Sequence, residues 1–178
     1  MKAIFSLALF LSLFLASCHS EPSLQQYFVT NTENKNFVAL DLSPSILNIE
    51  PSKLTVTQNK ALHSFEKMNV LAFKVNPKNQ QEFVTERAKV AAILKDTMYQ
   101  QLIKFGSGKE GAAISYVGSD DHINEFVLFA NKKEAGFAVI RVLGKDMNPE
   151  NIMTLLSIIK DSKIDLAQLQ PLQELIKK

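Results

Sequence analysis

Apolar and polar positions divide the chain into four stretches. Residues 3–15 are apolar except for Ser6 and Ser12; residues 19–36 are polar; residues 37–159 alternate short apolar runs with turn signals; and spaced leucines follow from residue 164. Within the third stretch, Phe37-Val38-Ala39-Leu40-Asp41-Leu42, closed by Ser43-Pro44, predicts a strand, and Val70 to Val75, closed by Asn76-Pro77, a second. Residues 59–67 suit a short helix. From about residue 79 to 105 there is no Gly or Pro. Val84, Ala88, Ala91, Leu94, Met98, Leu102 and Phe105 recur there at spacings of three and four, which predicts one long amphipathic helix with Gly106 as its C-cap. Runs at 112–117, 125–130 and 137–143, separated by turn residues, predict three strands in antiparallel hairpins. Asn148-Pro149-Glu150 opens another helix, with Asn148 as N-cap and Pro149 at the first helical position. Leu166, Leu169, Leu172, Leu175 and Ile176 predict a helical tail that Pro171 splits. The expected fold is a single α+β domain over residues 37–178. Its sheet would be antiparallel or mixed, of about five strands, with helices packed on one face, loosely ferredoxin-like.

The N-terminal stretch has the layout of an export signal: Lys2, a 13-residue apolar run (3 to 15), then small Ala16 and Ser17. As a helix that run reaches only about 20 Å at ~1.5 Å per residue, whereas a membrane core of about 30 Å takes roughly 20 residues. Leu15-Ala16-Ser17-Cys18 resembles the bacterial lipobox. The resemblance implies that residues 1–17 are a signal peptide, that lipid is attached to Cys18, and that the acyl chains hold the protein on a membrane, at about 0.8 kcal/mol per buried CH₂. The alternative is a secreted protein with a chance cysteine near its cleavage site; Cys18 is the only cysteine. Residues 18–36 then read as the lipidated cysteine and a polar tether, with order expected from Leu24 through Val29. In enterobacterial lipoproteins an Asp after the cysteine directs inner-membrane retention. His19 stands there instead, which points to the outer membrane and leaves the leaflet open.

Charge narrows the partners. The chain has 20 Lys+Arg against 18 Asp+Glu, and without Lys2 the balance is 19 to 18. Nucleic acid, which calls for a basic stripe, is excluded on this ground. Candidate chemistry is sparse. Gly106-Ser107-Gly108-Lys109 lacks P-loop spacing, and Glu110 stands where Ser or Thr belongs. His19, His63 and His122 are far apart, and the adjacent Asp120-Asp121-His122 is a poor geometry for one ion, so no metal is expected. There is no Gly-x-Ser-x-Gly elbow. Glu82 and Glu86 read as part of a solvated charged face. No cofactor is expected beyond the covalent lipid on Cys18, and no catalytic residue is assigned.

Period-two alternation along the strands yields one wholly apolar set (Val38, Leu40, Leu42; Leu71, Phe73, Val75; Phe126, Leu128, Ala130; Ala138, Ile140, Val142). The opposite set is apolar with polar ends (Phe37, Ala39, Asp41; Val70, Ala72, Lys74; Val127, Phe129, Asn131; Phe137, Val139, Arg141). An apolar surface with a polar rim suits a ligand or partner, which makes Asp41, Lys74, Phe129 and Arg141 the candidate binding face. The competing reading has the C-terminal tail covering that face and Asp41 paired with Lys74 or Arg141.

The lipobox, Phe37 to Leu42, Val70 to Phe73, His122-Ile123-Asn124-Glu125-Phe126-Val127-Leu128-Phe129 and Arg141-Val142-Leu143-Gly144-Lys145-Asp146-Met147 together resemble a family of Bacteroidota lipoproteins known as domain of unknown function 4252, over about residues 25–160. The resemblance implies an envelope lipoprotein and carries over no catalytic residue. The leading expectation is a non-enzymatic binding or interaction module on the outer membrane, with an envelope protein as partner. The rival expectation is a hydrolase acting on an envelope polymer.

Overall fold

The computed structural model describes residues 22–107 and 110–161. Among the described residues six strands form one antiparallel sheet. They are β1 (Phe37–Leu42), β2 (Phe65–Lys74), β3 (Gln100–Ser107), β4 (Glu110–Ser119), β5 (His122–Lys132) and β6 (Gly136–Met147), in the spatial order β1-β2-β6-β5-β4-β3. Among the described residues four helices accompany them: α1 (Leu24–Asn31), α2 (Val56–Ser64), α3 (Gln80–Ile93) and α4 (Pro149–Asp161). None of the described helices is long and apolar enough to cross a membrane. The α+β class stands, with six strands rather than about five. The order is not that of a split βαβ unit, because β1 and β2 are direct neighbours although two 3₁₀ turns and α2 lie between them in sequence.

Helices cover both faces of the sheet, not one. On the first face α1 and α3 bury Phe37, Leu71, Phe73, Val127, Phe137 and Val139. Phe73 and Phe137 stack with centroids 5.5 Å apart, and Phe37 meets Phe73 edge-on at 5.1 Å, arrangements that aromatic quadrupoles favour. On the second face α2 and α4 bury Leu42, Phe65, Val70, Tyr116, Phe126, Val142 and Met147.

Three local differences from the sequence expectation have physical causes. First, the order expected over Leu24–Val29 of the tether is a full helix, α1, that reaches Asn31 and packs on the sheet. Ser23 caps it, its Oγ accepting from the Gln26 N–H at 3.1 Å. Leu24, Tyr27, Phe28 and Asn31 form its buried stripe, and only three of those four are apolar. Second, the long helix ends at Ile93. The buried face of α3 is Phe83, Glu86, Val90 and Ile93, while Val84 and Met98 of the expected stripe are exposed. Residues 100–107 pair with β4 instead, giving that strand a second neighbour. Third, Gly106 is a hairpin residue rather than a helix cap: its φ is 76°, and a Cβ there would sit 2.6 Å from the Glu110 carbonyl oxygen. The cap of α4 is as expected. Asn148 accepts from the Asn151 N–H at 2.9 Å, and Asn151 returns the bond at 2.8 Å. The leucine-bearing tail from residue 164 lies outside the described residues.

Candidate functional site

The register decides which candidate residues share a face. Asp41 is opposite Asn69, and Asn69 is opposite Arg141, which is opposite Val127. Asp41 and Arg141 therefore stand in one cross-strand row on the face under α1. Phe129 is on the same face, one row away beside Val139, and meets Phe137 edge-on at 6.1 Å. Lys74 is not with them. It follows Ala72 by two positions, and Ala72 pairs with Val38, so Lys74 is on the other face. The sequence reading placed β2 out of phase because Val70, Leu71, Ala72 and Phe73 are all apolar, and such a run carries no information about phase.

Arg141 is buried. Its Nε and Nη2 donate to Glu125 Oε1 and Oε2 at 2.7 and 2.9 Å. The guanidinium carbon also sits 5.6 Å from the centre of the Phe28 ring on α1. Burial works against the guanidinium charge, but the hydrogen bonds and charge of Glu125 outweigh it and hold Arg141 above its ordinary value. Tyr99 lies in the field of the same pair. Burial, and next the charge of Glu125, push its phenol up. Asp41 pairs neither with Lys74 nor with Arg141: it accepts from Asn69 Nδ2 and pairs with Lys67 Nζ at 3.1 Å.

Two clefts flank α1. One, of about 510 Å³, lies between Phe28 and Val29 of α1 and the β1–β2–β6 edge, where Asp41, Lys67, Asn69 and Leu143 line it. The other, of about 690 Å³, lies between α1 and the second half of α3, with Tyr27, Lys89 and Ile93 in its walls. Between the helices, the Tyr27 hydroxyl donates to Glu86 Oε2 at 2.9 Å and Lys89 Nζ to Oε1 at 2.7 Å. Burial, reinforced by the Glu86 bond, raises the Tyr27 phenol far above its ordinary value. Glu82 accepts from Asn36 Nδ2 at 2.6 Å. Glu82 and Glu86 are thus tertiary ties rather than a solvated face.

The remaining candidates disperse. His122 Nδ1 pairs with Asp146 at 3.0 Å, while Asp120 accepts from the Tyr116 hydroxyl at 2.5 Å. His63 bonds the Asn59 carbonyl at 2.7 Å. Among the described residues no three His, Cys, Asp or Glu side chains are grouped to hold a metal ion. Cys18, His19, Gly108 and Lys109 lie outside the described residues. Sequence reasoning missed Lys67, Asn69, Glu125 and Phe28. A signal existed for one of them: Glu125 and Arg141 are opposite charges within apolar strands of one hairpin, and a charge so placed needs a partner.

A family profile described as a domain of unknown function, DUF4252, matches residues 27–155. The chain belongs to that family. No curated protein and no solved structure matches it. The DUF4252 match begins within α1 and ends within α4, so it takes in the whole sheet, the Arg141–Glu125 pair and the sheet side of the smaller cleft.

Proposed function

We propose that this protein is a lipoprotein of a Bacteroidota cell envelope, held on the outer membrane through lipid on Cys18. In this reading its DUF4252 domain is a non-enzymatic module that binds an envelope protein at the cleft between α1 and the β1–β2–β6 edge. The carrying observation is the composition of that cleft. Its walls offer exposed apolar Val29 beside Phe28 and Leu143, and its rim carries the Asp41–Lys67 pair, whose side chains remain 67% and 49% exposed. An apolar centre with a polar, hydrated rim is the anatomy of a protein interface. The buried Arg141–Glu125 pair beneath it supports this role by fixing the floor, because two charge-assisted hydrogen bonds tie β6 to β5 there. The lipobox-like Leu15-Ala16-Ser17-Cys18 supports the anchor.

The test is a crosslinked pull-down from native envelopes with tagged full-length protein, comparing wild type with Asp41→Lys, Lys67→Glu. Arg141 is left intact, since reversing a buried charge would unfold the domain. A protein captured by wild type and lost with the reversed pair is the expected result. The same capture from both sinks the cleft as the binding face. No capture from either sinks the protein-binding module.

A further inference from the structure

The sheet face under α2 and α4 carries a second feature, independent of the cleft. Its cross-strand register aligns Phe105, Ala112, Ala130, Ala138, Ala72 and Val38 in one row that crosses all six strands. The adjoining row is Ile103, Ile114, Leu128, Ile140, Val70 and Leu40. All twelve positions are apolar. The helices sit over the next rows, around Phe126, Val142 and Leu42. The second row borders that core, where Ile103, Leu128, Ile140 and Leu40 are only partly buried. In the first row Phe105 is 61% exposed, Ala130 is exposed, and Val38, Ala112 and Ala138 are half-buried. Beyond the first row the strands turn polar at Glu110, Lys132 and Lys74.

Ala72, Val70 and Ile114 of these rows are already buried; the rest of this apolar half-sheet needs a cover. We propose that residues 162–178 of this same chain fold back over it. Three observations point to this occupant. Helix α4 packs on the same face, with Ile152, Leu155 and Ile158 in its core, so the chain leaves α4 on the side where the cover is required. The 17 residues from 162 to 178 hold Ile164, Leu166, Leu169, Leu172, Leu175 and Ile176, and no aromatic residue or glycine. As two helical pieces split at Pro171 they reach up to about 25 Å end to end at ~1.5 Å per residue, against about 24 Å for six strands spaced ~4.8 Å apart. The shapes are complementary as well. Alanines across the middle of the sheet leave a shallow channel, and leucines and isoleucines are the side chains that fill one, large against small across the contact. The tail closes the second face much as α1 and α3 close the first.

The test is thiol labelling at Ala130→Cys, read at that residue by peptide mass. The full-length protein is compared with a chain ending at Asp161. Ala112→Cys in the same row serves should the first variant fold poorly. Val139→Cys, buried under the other face, confirms that the shortened chain is still folded by staying unlabelled. Residue 130 is expected to react at least about tenfold faster once the tail is removed, the factor given by about 1.4 kcal/mol of preference for the covered state. Equal rates in the two chains overturn the proposal. So does protection of the full-length chain that disappears on dilution, which would make the cover a second copy rather than the tail.

Discussion

Arg141 keeps its charge inside the protein because Glu125 receives it through two hydrogen bonds and Phe28 lies against it. Removing one partner strands the other charge without water, so Glu125→Gln should cost about 3–5 kcal/mol in urea unfolding. The paired replacement Glu125→Leu, Arg141→Met should recover most of that loss, since it leaves no charge uncompensated. A single variant as stable as wild type would show that water reaches the pair. Tyr27 supports a second prediction at this scale. Its phenol is raised in the fold, so its stabilising contribution is complete below the ordinary phenol value near ~10 and is lost as pH rises from there toward the raised folded value. Between pH ~9 and ~11 the wild type should therefore lose stability more steeply than Tyr27→Phe, by up to about 1.4 kcal/mol per pH unit for the one proton. Parallel curves would mean that Tyr27 does not hold its proton against Glu86. Of this residue-level picture, Asp41 and Arg141 were legible as polar ends of apolar strands. Their partners were not, because partnership depends on register, and the apolar run through β2 leaves register open.

Helix α1 is the element whose role changes most between sequence and structure. Eight residues with an amphipathic stripe of Leu24, Tyr27, Phe28 and Asn31 are too few for a stable isolated helix. The helix exists because the sheet face beneath it is apolar, and that is tertiary information. Leu24 is fully buried, so Leu24→Ala should destabilise the domain by about 2–5 kcal/mol. Val29, 73% exposed on the same helix, should change stability by less than about 0.5 kcal/mol when replaced by alanine. Equal, small effects at both positions would return α1 to the status of a tether. The strands were legible where turns bound them: β1 spans the expected Phe37–Leu42, and β4, β5 and β6 follow the expected hairpins. The segment after Ile93 was not. Its apolar spacing of three and four satisfied a helix template, yet the pairing offered by β4 won, with Asp96 turning the chain by accepting from the Met98 N–H at 2.9 Å.

At the scale of the whole molecule, docking of α1 limits how far the domain can stand from a membrane. The helix begins at Leu24. On the proposed anchoring at Cys18, only residues 19–23 separate the lipid from a helix fixed to the sheet. Five residues and the bonds flanking them span at most about 20 Å when fully extended. Most of the tether expected from polar composition is thus taken up by the fold, and that anchoring would hold both clefts beside α1 close to the lipid surface. A dye attached at Gln25→Cys, an exposed position in the first turn of α1, should be dimmed by a quencher carried on lipid headgroups. Inserting about 20 Gly/Ser residues after Ser20 should relieve much of the dimming, since a flexible linker of that length moves the helix about 25 Å away on average. If the dye were equally dimmed with and without the insertion, α1 would have to lie on the membrane by its own affinity. If it were dimmed in neither, Cys18 would not be the point of attachment. Only a short, lipid-anchored tether gives dimming that the insertion removes. It would also confine partners of the smaller cleft to proteins that reach within a few nanometres of the same membrane.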